Sequence, residues 1–139
     1  MIEASMKKLL VERAIESANN AYSPYSGFRV GAAVLCSDGS IYTGCNIENS
    51  SYSATVCAER VALFSAVNDG KRGFLSVAVA GGREVVGDEV CPPCGVCLQA
   101  LSEFFSPESV VLLACNGGYK EYKFKELLPL GFSSSNLDQ

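Results

Sequence analysis

Thr55-Val56-Cys57-Ala58-Glu59-Arg60-Val61 opens the helical stretch whose reading decides the fold. Ser53 or Thr55 can cap it, and Asp69-Gly70 ends it after about Asn68. Its apolar positions are Val56, Ala58, Val61, Ala62, Leu63, Ala66 and Val67. A helix apolar nearly all round belongs at the centre of a molecule. Its first turn carries Cys57 and Glu59, a soft metal ligand two residues from a proton carrier. Candidate partners lie downstream in Cys91-Pro92-Pro93-Cys94-Gly95-Val96-Cys97.

Outward from this helix, the remaining elements follow from periodicity and punctuation. Met6, Leu9, Leu10, Ala14, Ala18 and Ala21 are spaced as one face of a helix over residues 5–21. Tyr22-Ser23-Pro24-Tyr25-Ser26-Gly27-Phe28 is a turn-rich loop, dense in aromatics, one of which could line a pocket. Residues 30–36 and 41–45 read as two strands joined at Asp38-Gly39. Gly31, Ala32 and Ala33 imply a close neighbour on the first of them. Cys36 and Cys45 read as inert buried thiols. Asn46 and Glu48 project to one side at a strand end; turn chemistry with a solvated carboxylate accounts for them, and so does a hydroxyl-binding pair. Residues 74–80 form a third strand ended by Gly81-Gly82, and 95–105 a third helix ended by Pro107. Residues 110–115 and 119–124 are strands around Asn116-Gly117-Gly118, and 125–128 begin a short helix or turn. No repeat or linker interrupts residues 1–139, so a single domain is expected. The order α-β-β-α-β-α-β-β-α fits a three-layer α/β/α arrangement around a mixed five-stranded sheet.

Composition narrows the function classes. The chain has 139 residues, nearly half of them apolar, enough for a real core. No apolar run reaches membrane-spanning length, and residues 1–8 lack the basic-then-apolar order of a signal peptide, so a cytoplasmic protein is expected. The net charge of −4, without a basic cluster, disfavours a polynucleotide substrate, since long nucleic acids are held by neutralising many phosphates. Seven cysteines, an odd number in a chain with no signal, argue for metal or catalysis rather than a disulfide framework. There is no histidine, which removes Ser-His-Asp and Cys-His mechanisms and any imidazole-ligated metal. Acid–base work falls on a carboxylate, Lys, Tyr or Cys.

Cys57, Cys94 and Cys97 are the metal candidates. Cys94 and Cys97 have a zinc-clip spacing, and both sulfur-bearing stretches begin helices, where backbone N–H groups favour thiolates. An iron–sulfur run would need its next cysteine where Leu101 stands. A closed four-sulfur site could recruit Cys91, although Pro92-Pro93 holds the chain extended between Cys91 and Cys94. Three sulfurs leave a fourth position open for a water, which the metal acidifies, and Glu59 stands within reach as its proton shuttle. Three thiolates over-neutralise a divalent zinc, and Arg60 could draw charge off a ligating sulfur.

These residues resemble a known signature. Cys57-Ala58-Glu59-Arg60 with Pro93-Cys94-Gly95-Val96-Cys97 is similar to the zinc deaminase motif, in which the glutamate is not a ligand. Tyr22 to Phe28, Val30-Gly31-Ala32-Ala33, Asn46-Ile47-Glu48-Asn49 and Leu127-Leu128-Pro129 extend the resemblance to the small tetrameric cytidine deaminases over nearly the whole chain. That resemblance implies hydrolytic conversion of cytidine and deoxycytidine to uridine and deoxyuridine in pyrimidine salvage. It implies one Zn²⁺ per subunit on Cys57, Cys94 and Cys97, with zinc-bound hydroxide attacking C4 and Glu59 moving the protons. It further implies that Asn46 and Glu48 hold the sugar, that the Ala58 backbone meets the base, and that Phe28 packs on the substrate. Phe132 would close a neighbouring subunit's site in a homotetramer, and Arg60 and Gln99 would lie behind the thiolates and modulate them. Cys91 and Leu98 depart from the family pattern. The rivals are an antibiotic-nucleoside deaminase of the blasticidin type, a deaminase of nucleic-acid bases, and a non-catalytic domain stabilised by four-sulfur zinc.

Overall fold

The computed structural model describes residues 1–138. Helix α1 (Ala4–Ser17) precedes strands β1 (Arg29–Cys36) and β2 (Ile41–Cys45). Helix α2 (Ala58–Asn68), strand β3 (Phe74–Gly82) and helix α3 (Gly95–Ser102) follow. Strands β4 (Val110–Cys115) and β5 (Gly118–Lys123) and the single helical turn α4 (Phe124–Leu127) complete the sheet side of the chain. The five strands lie in the order β2-β1-β3-β4-β5. Only β3 and β4 are parallel, joined by the crossover through α3; β1 pairs antiparallel with β2 and with β3, and β4 with β5.

Strand alternation divides the core in two. Val34, Val77, Val79, Val111 and Leu113 point to the face covered by α2 and α3, where they meet Ala62, Leu63 and Leu101. Ala33, Leu35, Ala78, Ala80 and Leu112 point to the face covered by α1, where they meet Leu10 and Ala14. The expected α/β/α layering is therefore the observed one. β1 and β3, buried on both faces, read as continuous apolar runs, whereas β5 alternates because it lies at an edge, where its lysines discourage pairing with another chain.

The close neighbour implied by Gly31 is α1. A Cβ on Gly31 would lie 1.9 Å from the Ala14 carbonyl oxygen, so the helix backbone rests directly on the strand. Gly44 does the same for the other face, where a Cβ would lie 2.5 Å from the Ala62 nitrogen in α2.

Several boundaries differ from the sequence expectation, beginning with α1, which ends at Ser17 and passes into a 3-10 turn over Ala18–Asn20 instead of running to residue 21. β3 runs through Gly81-Gly82 instead of stopping before them, and these residues pair with Val30 and Arg29. They are glycines because a Cβ at Gly82 would lie 1.9 Å from the Val85 carbonyl oxygen of the returning loop. α2 begins at Ala58, not at a Ser53 or Thr55 cap. A bridge between Ile47 and Val56 keeps the chain extended there, and Thr55 Oγ1 accepts from the Asn49 N–H instead. α3 stops at Ser102, where the Ser102 hydroxyl donates to the Gln99 carbonyl.

Gly31→Ala is expected to push α1 off β1 and to cost about 1–3 kcal/mol, the usual range for overpacking. Urea unfolding checks this: the midpoint should fall with the slope unchanged.

Candidate active site

Two helix starts meet on one side of the sheet. Cys57 stands immediately before α2 and Cys94 immediately before α3, both with extended backbone, and Cys97 lies in the first turn of α3. The Cys57 and Cys94 sulfurs are 3.7 Å apart. All three sulfurs lie within 4.8 Å of one another. Tetrahedral zinc with bonds of about 2.3 Å to sulfur would hold its ligands roughly 3.8 Å apart, so the donor set fits such an ion in number, chemistry and spacing.

The electrostatics agree. The Cys57 thiol is held down to about 5, chiefly by its hydrogen bond with Cys97 and then by Arg60 and Cys94, against the opposing effect of burial. The same contact, with burial, drives the Cys97 thiol upward. Three sulfurs this close cannot all ionise on their own, and a divalent cation resolves that conflict.

Cys91 stands apart. Among the described residues the metal-binding group comprises Cys57, Cys94 and Cys97 without it. Its sulfur packs against Gly81 instead, where a Cβ would lie 2.7 Å from it and 3.1 Å from the Phe28 ring. Burial, then the charge of Glu59, pushes its thiol up to about 11, the opposite of a ligand's requirement.

Glu59, in the first turn of α2, is 3 % exposed. Burial pushes its carboxyl up to about 7; its own backbone N–H partly offsets this, and the charge of Cys57 adds to it. A carboxylic acid poised near neutrality can both take and give a proton. Arg60 turns back toward the cluster, with Nη2 3.6 Å from the Cys57 sulfur. Ala58 is wholly buried at the first helical position, where a backbone N–H has no partner within the helix.

The loop before β1 and the segment leaving β2 carry the other candidates. Asn46 is nearly buried, donating Nδ2 to the Phe28 carbonyl at 2.8 Å and accepting from the Val30 N–H at 2.9 Å. Glu48 is a structured carboxylate: Oε1 accepts from the N–H groups of Tyr25 (2.9 Å) and Ser26 (3.2 Å), and Oε2 from the Ser26 hydroxyl (2.5 Å). These bonds, the Ser26 hydroxyl first, lower its pKa. Phe28 lies between Gly81 and the Arg83 guanidinium, which sits 5.9 Å from its ring centroid.

Phe132 is 59 % exposed on the C-terminal segment. Gln99 does not turn to the sulfurs: its Nε2 donates to the Phe132 carbonyl at 2.9 Å, tying that segment to α3. Of the expected pair, the structure brings Arg60 to a ligand-candidate sulfur, while the Gln99 amide engages the Phe132 carbonyl. Gln99 lies on an exposed part of the helix, near the chain end that needs a donor. Sequence reasoning missed Ser26 and Arg83. Ser26, directly before a glycine in a turn, carried a faint signal; Arg83 carried none, because β3 and the loop after it decide where it lands.

Residues 4–114 match the family model described as the cytidine and deoxycytidylate deaminase zinc-binding region. The chain is 45% identical over 133 residues to a cytidine deaminase of Sporosarcina psychrophila, covering 95% of this chain and 94% of that protein. It is 40% identical over 133 residues to a cytidine deaminase of Halalkalibacterium halodurans, covering 95% and 98%. The crystal structure of a cytidine deaminase from Burkholderia pseudomallei is similar at a TM-score of 0.82 and 38% identity, covering 94% of this chain and all of that one. The motifs at Cys57 and Cys94, the layered sheet and the three-sulfur cluster thus lead to one conclusion: this chain belongs to the cytidine and deoxycytidylate deaminase family.

Proposed function

We propose that this chain is a zinc-dependent enzyme that hydrolyses the exocyclic amine of cytidine and deoxycytidine, giving uridine and deoxyuridine for pyrimidine salvage. The observation that carries the reading is a cluster of three sulfurs at two helix starts, which would leave a tetrahedral metal one further position, with the buried Glu59 in the first turn of α2. One zinc per subunit on Cys57, Cys94 and Cys97 would supply a Lewis acid that makes water a nucleophile at neutral pH. Glu59 accepts the proton of that water at its carboxylate. It would deliver that proton to ring nitrogen N3 as oxygen adds to C4, then take the second proton from the oxygen now on C4 and pass it to the amine, which leaves as ammonia as the C4 carbonyl forms. Burial of Glu59 supports both roles, because it brings the acid and base forms close in energy.

Arg60 offsets part of the negative charge that three thiolates place on the metal; its approach to the Cys57 sulfur supports this. Asn46 and Glu48 hold the sugar, the Ala58 backbone meets the base, and Phe28 packs on the substrate. Three donors already occupy Glu48, so of about four acceptor positions on a carboxylate one is left for a sugar hydroxyl. A homotetramer in which Phe132 closes a neighbour's site fits the exposed apolar side chains of Phe132 and Leu130. A single domain over residues 1–139 and a cytoplasmic setting complete the reading, the latter supported by seven free thiols.

Following the loss of cytidine absorbance, with and without a zinc chelator, tests the function: turnover that survives the chelator would refute it. Glu59→Gln should keep the metal and lose turnover by about 10²-fold or more. Metal analysis of cysteine variants tests the ligand set: Cys94→Ala should lose zinc, whereas Cys91→Ala should keep one per chain. An anionic Glu48 at the sugar repels phosphate, so cytidine should be turned over far more efficiently than its 5′-monophosphate. Equal efficiency would contradict that placement.

A further inference from the structure

Ser26 is an exposed loop serine with every polar atom engaged. Its N–H donates to Glu48 Oε1 at 3.2 Å, and its carbonyl accepts from Arg83 Nε at 3.3 Å. Its hydroxyl oxygen accepts from the Phe28 N–H at 2.9 Å. That bond takes up one side of the oxygen and leaves the O–H to point at Glu48 Oε2, 2.5 Å away. A serine hydroxyl normally rotates to suit its surroundings; here its rotor is set by one neighbour and used on another.

The consequence falls on Glu48. The backbone donors of Tyr25 and Ser26 both bind Oε1, so they fix where the carboxylate sits but not the turn of its second oxygen. The Ser26 hydroxyl is the one protein donor to Oε2 among the described residues. We propose that Ser26 is a positioning residue that sets substrate specificity: its hydroxyl, locked by the Phe28 N–H, turns Glu48 so that its remaining acceptor position faces a sugar hydroxyl. The proposal rests on the reading of Glu48 as the sugar contact. Ser26 itself does not touch the substrate.

The test compares kcat/KM for cytidine and 2′,3′-dideoxycytidine in the wild type, Ser26→Ala, Ser26→Thr and Glu48→Gln. In Ser26→Ala the two backbone donors to Oε1 remain, as does the turn closed by the Gly27 N–H on the Ser23 carbonyl. The loop should keep its path. The preference for cytidine over the dideoxynucleoside should then fall about tenfold, the worth of one hydrogen bond to a charged group, and chiefly through KM for cytidine. Ser26→Thr, which keeps the hydroxyl, should restore the preference. Equal losses on both substrates, or an unchanged preference in Ser26→Ala, would overturn the proposal. Glu48→Gln separates the two levels. If its preference collapses while that of Ser26→Ala stands, Glu48 reads the sugar and the proposal alone fails. If its preference is unchanged, the assignment of Glu48 fails and the proposal with it.

Discussion

The site depends on one constraint: three cysteine sulfurs held together at two helix starts cannot all ionise unless a cation lies among them. Cys57, Cys94 and Cys97 come within 4.8 Å of one another, a spacing that anions tolerate only around a cation. Everything near them moderates that concentration of charge. The helix starts present N–H groups, Arg60 adds a guanidinium, and Glu59 is buried closely enough to resist ionising. Burial first, with a smaller push from the charge of Cys57, holds the Glu59 carboxyl near neutrality beside the sulfurs.

The sheet brings the two helix starts together. β3 and β4 are parallel, so the chain must cross over between them, and α3 makes that crossing on the face where α2 already lies. Gly44 lets α2 rest on β2 at backbone distance, and Gly31 lets α1 do the same on the opposite face. Gly44 therefore controls how close α2, the helix that follows Cys57, stands to the sheet. That packing reaches the start of the helix, since a Cβ on Gly44 would also lie 2.7 Å from the Ala58 carbonyl oxygen, next to Cys57.

A second network, independent of the sulfurs, shapes the proposed sugar end of the site. Asn46 and Glu48 leave β2 and immediately tie the aromatic loop before β1, through Phe28, Val30, Tyr25 and Ser26. Both residues bond the backbone of that loop, Asn46 from a buried position and Glu48 with one acceptor position left over. These bonds are the ones the turn-chemistry reading expects, and the proposed sugar contact is a second use of the same side chains.

Much of this was legible in the sequence. Periodicity placed the α-helices and strands to within a few residues, though not the 3-10 turns at Tyr52–Ala54 and Ser134–Leu137, and the absence of histidine with the spacing of Cys57, Glu59, Cys94 and Cys97 narrowed the chemistry to a sulfur-ligated metal and a carboxylate. These features are local: side-chain type and spacing along one helix turn carry them. What the tertiary structure alone decided was pairing across the chain. It separated Cys91 from the three neighbouring sulfurs by packing it on Gly81, carried β3 through two glycines, and sent Gln99 to the Phe132 carbonyl. It also made Ser26 the donor that orients Glu48. Such contacts join residues distant in sequence, and their geometry is set by how strands register and helices pack, which no local pattern encodes.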